Sequence, residues 1–346
     1  MDMNVDKVIL AAPRGFCAGV EMAIKALAWL VRTFDGPVYC YHEIVHNKLV
    51  VQRFEKLGVV FVDDISEVPP GHPIMLSAHG SAPEVVDAAS RQASYMVDAV
   101  CPLVTKVHHE VKVRAHKGYR IVYVGHEDHE EAVGTMAVAP ESIHPVESVA
   151  DVEALPDFEE PVALLAQTTL SHRDWDEVLQ AAKGRYPHMW TPGRSDLCFA
   201  TTNRQAALTA IAADCDTVVI VGSANSSNTT ALEKLARELG CESVYRVNKA
   251  SELPHNLCGT VGLTAGASAP EELISEVLDY LNPIQGVTEV SFTAEDEYFP
   301  PPRNLRDLIV ASGAMASFSL GGPPTTKPMV DRQVAASAVL DGLAGC

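Results

Sequence analysis

Three of the eight cysteines, Cys17, Cys101 and Cys198, share one setting, between a β-like run and a helical pattern. Cys17 follows Val8 to Ala12 and precedes a pattern from Val20 to about Phe34. Cys101 follows Met96 to Val100 and leads into a helix from about Val104 to Lys117. Cys198 stands before Ala200-Thr201-Thr202-Asn203, which opens a helix reaching about Ala213. A thiol at a helix N-terminus meets the positive end of the helix dipole, which favours the thiolate. Three thiolates brought together form a soft anionic site suited to iron–sulfur or zinc. An ordinary electron-transfer cluster takes four cysteines, whereas three leave one metal open, as in catalytic rather than structural zinc sites. The plain alternative is a buried core cysteine, a common fate of a free thiol. That alternative, or a surface position, is the reading kept for Cys40, Cys215, Cys241, Cys258 and Cys346. No pair has C-x-x-C spacing, so any shared metal must be assembled by the fold.

Polar loops recur in register with these cysteines. His46 lies 29 residues after Cys17, His129 lies 28 after Cys101, and Ser226 lies 28 after Cys198. A third set follows another β-like run: His79, Thr168 and Ser268 stand 62, 67 and 70 residues after the same cysteines. Nine positions in register indicate an internal threefold repeat. Ser226, Ser227 and Asn228 begin a helix, where free N–H groups and hydroxyls can hold phosphate oxygens; simple N-capping is the alternative. His46 and His79 can donate to a phosphate or shuttle protons.

The elements that must position these residues alternate strand and helix. That pattern implies right-handed crossovers and parallel sheets. The expected fold is therefore α/β, with three similar domains at 1–101, 102–197 and 198–292, and a loosely attached tail at 293–346. Ligands of open parallel sheets bind beyond the carboxyl ends of the strands. All nine loops lie at such ends, so three units with those edges inward converge on one central cavity. The tail contains Pro300-Pro301-Pro302 and Gly321-Gly322-Pro323-Pro324 and falls outside the repeat.

Composition narrows the function classes. The 346 residues carry a formal charge of −19, which opposes binding to nucleic acid, because phosphate backbones need a basic surface. No apolar run reaches ~18 residues, so no membrane span is expected. The N-terminus carries acid where a secretory signal carries base, which makes the cytoplasm the expected location. No phosphate-loop or dinucleotide glycine fingerprint occurs in the required context.

Several segments together resemble the LytB family of 4-hydroxy-3-methylbut-2-enyl diphosphate reductases. They include Pro13-Arg14-Gly15-Phe16-Cys17-Ala18-Gly19-Val20, His42-Glu43-Ile44-Val45-His46-Asn47, Ser77-Ala78-His79-Gly80 and Asp98-Ala99-Val100-Cys101-Pro102. Gln167-Thr168-Thr169-Leu170-Ser171, Cys198-Phe199-Ala200-Thr201-Thr202-Asn203-Arg204-Gln205, Gly222 to Asn228 and Thr264 to Pro270 continue the series. The likeness runs over about 7–285 with the motifs in order.

The resemblance implies a [4Fe–4S] cluster with three cysteine ligands, Cys17, Cys101 and Cys198, and one open iron. It implies that His46, His79, Ser226, Asn228 and Ser268 hold a diphosphate with Ser227 nearby, and that His129 belongs to the same pocket and its proton delivery. Thr168 and Glu131 are expected near the substrate hydroxyl, Glu131 as proton source. The implied reaction is reductive dehydroxylation of a small allylic diphosphate to isopentenyl and dimethylallyl diphosphate, with electrons from a ferredoxin or flavodoxin. A cluster-bearing redox sensor without turnover and a zinc hydrolase are the rival classes. The family's usual His-Pro-Glu is replaced here by His129-Glu130-Glu131, whose register is fixed by Gly134-Thr135.

Overall fold

Runs of apolar, β-branched residues form strands buried on both faces, as parallel sheets covered by helices require. In Thr217–Val221, for example, every side chain is buried. The computed structural model describes residues 4–319 and 331–343. Met1 to Met3, Gly321-Gly322-Pro323-Pro324 and Cys346 lie outside the described residues.

In chain order the first elements are β1 (Asn4–Ala12), α1 (Ala18–Thr33), β2 (Val38–Tyr41), α2 (Lys48–Lys56), β3 (Val59–Val62), β4 (Pro73–Leu76), α3 (Pro83–Gln92) and β5 (Tyr95–Asp98). There follow α4 (Pro102–His116), β6 (Arg120–Val124), α5 (Glu130–Met136), β7 (Ile143–Val146), α6 (Val149–Ala154), β8 (Val162–Ala166) and α7 (His172–Arg185). The third stretch holds α8 (Phe199–Ala212), β9 (Thr217–Val221), α9 (Ser227–Glu238), β10 (Ser243–Val247), β11 (Cys258–Ala265), α10 (Glu271–Leu281) and β12 (Val287–Ser291). Last come α11 (Arg303–Ser319) and α12 (Ala336–Leu343).

Among the described residues the strands form three sheets, all parallel, with orders β3-β2-β4-β5, β7-β6-β8 and β10-β9-β11-β1-β12. Each sheet places the unit's first strand between its second and third, so the sequence repeat is also a topological one. Beside each third strand runs the segment that leads to a cysteine. β5 pairs with β4 and leads to Cys101, and β1 pairs with β11 and leads to Cys17. Trp190, on the way to Cys198, bridges Ala163 of β8.

One expectation changes here. The segment 1–101 does not close on itself, because β1 pairs with β11 and β12 in the sheet of the third repeat. Its helix α1 crosses to the first sheet instead, where Ile24, Leu27 and Leu30 pack with Cys40, Met75 and Val97. Likewise α4 carries Val107 and Val111 from β5 to the core of β6, and α8 carries Leu208 and Ile211 to that of β9. Each cysteine is thus the point where the chain leaves one sheet for the next. Burying a Leu or Ile side chain contributes ~1.5–3 kcal/mol, so each crossover helix anchors its cysteine firmly. Truncating Leu27, which is fully buried, to Ala would cost ~2–5 kcal/mol.

The tail is a second correction. Rather than hanging loosely, it returns to the first unit, with Leu305, Ala336, Leu340 and Leu343 buried in the core that holds α1. The hydrophobic positions of two short helices were there to be read, but their partner lies some three hundred residues away in the chain. Among the described residues no helix is long and apolar enough to cross a membrane.

Candidate active site

Cys17, Cys101 and Cys198 are the N-cap residues of α1, α4 and α8, and none makes a side-chain capping hydrogen bond. Ser, Thr, Asp and Asn normally hold this position because their oxygen satisfies a free N–H. Elsewhere the chain caps in that way: Asn47 Oδ1 accepts from Leu49 and Val50 N–H at 3.1 and 3.2 Å. Cysteine here leaves the sulfur for another partner. The three sulfurs meet in a cavity of about 100 Å³ at the carboxyl ends of the strands. Gly19 permits this convergence, since a Cβ there would stand 2.9 Å from Cys101 Sγ and 3.9 Å from Cys17 Sγ.

The thiols differ from the sequence-based expectation. Burial drives the Cys101 thiol upward, with Cys17 adding to the rise, and outweighs the N–H groups of Leu103 and Val104 that pull it down. Burial likewise pushes Cys198 up to about 12, against the N–H groups of Thr201 and Ala200 and the charge of Arg204. The helix dipole acts as anticipated but desolvation is larger. Without a metal these two sulfurs therefore keep their protons at neutral pH, and a metal binding there must displace them. A soft, three-sulfur donor set with uncommitted sulfurs fits iron–sulfur or zinc chemistry.

The same cavity is lined by His46, His79, His129, Glu131, Thr168, Ser226, Ser227, Asn228 and Ser268. Every side chain singled out from the sequence thus reaches one site. Each stands after a strand: His46 after β2, His79 after β4, His129 after β6, Thr168 after β8, Ser226 after β9 and Ser268 after β11. Gly19, Thr169 and Thr201 also line it and were not singled out, although all three lie within the quoted motifs.

One wall of the cavity is suited to an acceptor-rich anion. Nε2 of His46 and Nδ2 of Asn228 are buried without a hydrogen-bond partner, while His46 Nδ1 stands 3.5 Å from Glu43 Oε2. Unpaired buried donors are rare enough that a ligand is the natural explanation. Asn228 is held by its Oδ1, which accepts from Ala267 N–H at 3.0 Å, so Nδ2 is the atom left over. Ser268 Oγ donates to the His46 carbonyl at 2.9 Å, tying the two loops together. Ser226 caps α9, whose first free N–H groups face the same space. Among the described residues lining the cavity there is no Lys or Arg. The His46 and His79 rings stack at 4.0 Å and 12°. Near-parallel rings cannot direct lone pairs at one point, so His46, His79 and Glu130 make a poor cation site despite their proximity.

The adjoining wall carries the acid, with the His129 ring edge-on to that of His46 at 5.4 Å. Gly134 lets α5 lie directly on the loop after β4, for a Cβ would stand 2.8 Å from the Gly80 carbonyl oxygen. This contact brings Glu130 Oε2 to 2.7 Å from His79 Nδ1. Burial opposes the charge on Glu130, but His79 outweighs it and holds that carboxyl at about 2. Glu131 is fully buried and accepts from Thr168 N–H at 2.6 Å and Thr168 Oγ1 at 2.9 Å. Burial pushes Glu131 up to about 7 even against those two bonds. His129 caps α5 by accepting the Glu131 N–H on Nδ1 at 3.1 Å. Burial, with His79 and His46 nearby, lowers His129 to about 3, so its ring is neutral and Nε2 carries the proton.

Known proteins resemble this chain in sequence and fold. The profile of the LytB protein family matches residues 8–282. The chain is 46% identical to a 4-hydroxy-3-methylbut-2-enyl diphosphate reductase of Rhodopirellula baltica over 90% of this chain and 99% of that protein. It is 42% identical to the enzyme of that name from Streptomyces coelicolor, over 92% and 96%. The reductase structure from Plasmodium falciparum superposes with a TM-score of 0.84 at 32% identity, covering 89% of this chain and 99% of that one. A matching profile over most of the chain, relatives of nearly full length and a shared fold lead to one conclusion: the chain belongs to the LytB family.

Proposed function

We propose that this protein reductively removes the hydroxyl group of (E)-4-hydroxy-3-methylbut-2-enyl diphosphate, giving isopentenyl and dimethylallyl diphosphate at the end of the non-mevalonate isoprenoid route. The substrate takes up two electrons and two protons and releases one water. The observation that carries this reading is a buried carboxyl near neutral pKa sharing one cavity with three N-cap cysteines and an unpaired anion-binding wall.

Cys17, Cys101 and Cys198 would hold a [4Fe–4S] cluster, consistent with sulfurs that make no capping bond. When bound, that group supplies electrons one at a time and a Lewis-acidic iron. The residues of the chain do the rest. His46, Asn228 and the start of α9 bind the diphosphate, with Ser226, Ser227, Ser268 and His79 around it. They orient the substrate so that its hydroxyl end points toward the cysteines. Glu131, held between the Thr168 N–H and hydroxyl, is half protonated near neutrality and supplies the proton that lets the hydroxyl leave as water. His129 fixes the start of α5 through Nδ1 and has Nε2–H free to donate toward the diphosphate or the acid. The electron donor is expected to be a small reduced carrier of the ferredoxin or flavodoxin type, and the reaction belongs in the cytoplasm.

The test is anaerobic. Protein reconstituted with iron and sulfide is mixed with a reduced viologen dye and the hydroxylated diphosphate. Dye oxidation that requires substrate, with both isoprenyl diphosphates appearing, supports the reading. A loaded cluster with no turnover overturns it in favour of a sensor.

A further inference from the structure

Arg204, on the second turn of α8, is a charged side chain with no exposed surface. Its Nε and Nη2 donate to the Gly15 carbonyl at 3.1 and 2.7 Å, and Nη2 also reaches the Phe16 carbonyl at 3.4 Å. Nη1 donates to the Ala200 carbonyl at 2.8 Å and to both oxygens of Glu295 at 3.1 Å. Asn203 Nδ2 secures the same carboxylate at 2.9 Å. Phe16 directly precedes Cys17, and Ala200 follows Cys198 by two residues. One guanidinium therefore joins the loops of two cysteines that arrive from different sheets.

Glu295 lies beyond β12 and outside the stretch matched by the family profile. It belongs to the segment that sequence reasoning set aside as tail. Tail contacts continue on the same side, with Phe299 against Phe199 at 6.5 Å between ring centroids and Ala336 N–H donating to Glu21 Oε2 at 2.8 Å. Buried ion pairs contribute little net stability, because desolvation offsets their attraction. Stability alone thus gives no reason to place one beside two cysteines.

We propose that Arg204 and Glu295 are positioning residues that hold the Cys17 and Cys198 loops in register and set the electrostatic field at the metal centre. This rests on the reading that the three cysteines hold an iron–sulfur cluster. In a water-poor interior a lone charge acts strongly on an electron arriving nearby. Removing the arginine leaves the carboxylate uncompensated and makes reduction harder. Removing the carboxylate leaves the guanidinium uncompensated and makes reduction easier. A purely structural role would not give opposite signs.

The test uses the full chain, reconstituted anaerobically, as wild type, Arg204→Gln, Arg204→Lys and Glu295→Gln. Folding is followed by circular dichroism, iron and sulfide content by chemical analysis, and midpoint potential by redox titration with paramagnetic resonance. The expected result is a lower potential in Arg204→Gln, a higher one in Glu295→Gln, and a return toward wild type in Arg204→Lys. Release of iron to a chelator should be at least ~10-fold faster in Arg204→Gln, matching the usual effect of losing an outer contact at a metal site. Equal potentials in all four proteins, or shifts of one sign in both neutral variants, would overturn the assignment. Should Arg204→Gln not fold, Glu295→Gln decides alone, an unchanged or lowered potential counting against it. Wild-type protein that takes up no iron or sulfide overturns the cluster reading, and this assignment with it.

Discussion

The Glu131 carboxylate accepts two hydrogen bonds from one residue, the Thr168 N–H at 2.6 Å and the Thr168 hydroxyl at 2.9 Å. The two residues come from different strand ends, and Thr168 also accepts the Cys198 N–H on its carbonyl at 2.7 Å. Acid and cysteine are thus coupled through a single threonine. The pair fixes where the proton is delivered, while burial keeps the proton on Glu131 up to about pH 7.

Glu131→Gln keeps the shape but removes the transferable proton. Turnover should fall at least ~100-fold, the usual scale for losing a general acid, with cluster content and diphosphate binding retained. Steady-state kinetics beside iron analysis checks this, and near-normal turnover would sink the role.

Wild-type turnover should depend on pH in a direction fixed by the same group. Burial raises Glu131 above the ordinary carboxyl value, so the acid form dominates below about 7 and is lost as pH rises through it. Turnover at saturating substrate should therefore decline on the alkaline side. A profile rising from pH 6 to 8.5 would contradict the assignment.

Cys101→Ser should lower iron and sulfide loading severely. The sulfur is the soft donor that a hydroxyl cannot replace, and Cys101 sits against Gly19 beside Cys17. Full loading of the purified variant, measured by colour and metal content, would refute its place among the ligands.

Glu130→Gln should bind inorganic diphosphate more tightly in the cluster-free protein, by roughly 3–10-fold at low salt. The carboxylate that replaces the family's usual proline stands 2.7 Å from His79 and adds negative charge where an anion is to bind. A gain of this size corresponds to about 1 kcal/mol and should shrink as salt screens it. Calorimetric titration showing weaker binding would mean that Glu130 serves the site by holding the His79 ring in place.

Gly134→Ala should be disproportionately harmful for one methyl group. The new Cβ would meet the Gly80 carbonyl at 2.8 Å, and a backbone oxygen cannot swing aside, so α5 must move outward and take Glu131 with it. Overpacking of this kind costs ~1–3 kcal/mol. Thermal unfolding should report that loss, and turnover should fall with it. Unchanged values in both would show that α5 adapts.

Local sequence determined a great deal about this protein. The alternation of apolar runs and helix patterns, repeated three times in register, was enough to foresee parallel α/β units and to mark each cysteine, histidine and serine that lines the cavity. That works because a residue at a strand's carboxyl end is placed by its own strand and helix, whatever the neighbours do. Only the tertiary structure decided matters that depend on burial and on distant partners. The departure of β1 to the third repeat's sheet is a pairing between residues near 8 and near 261, and no local period records such a partner. The thiols lie high because burial outweighs the dipole that the sequence makes visible. The pairing of Arg204 with Glu295, 91 residues further on, exists only in the closed fold, because the cost of removing a charge from water arises only once the water is gone.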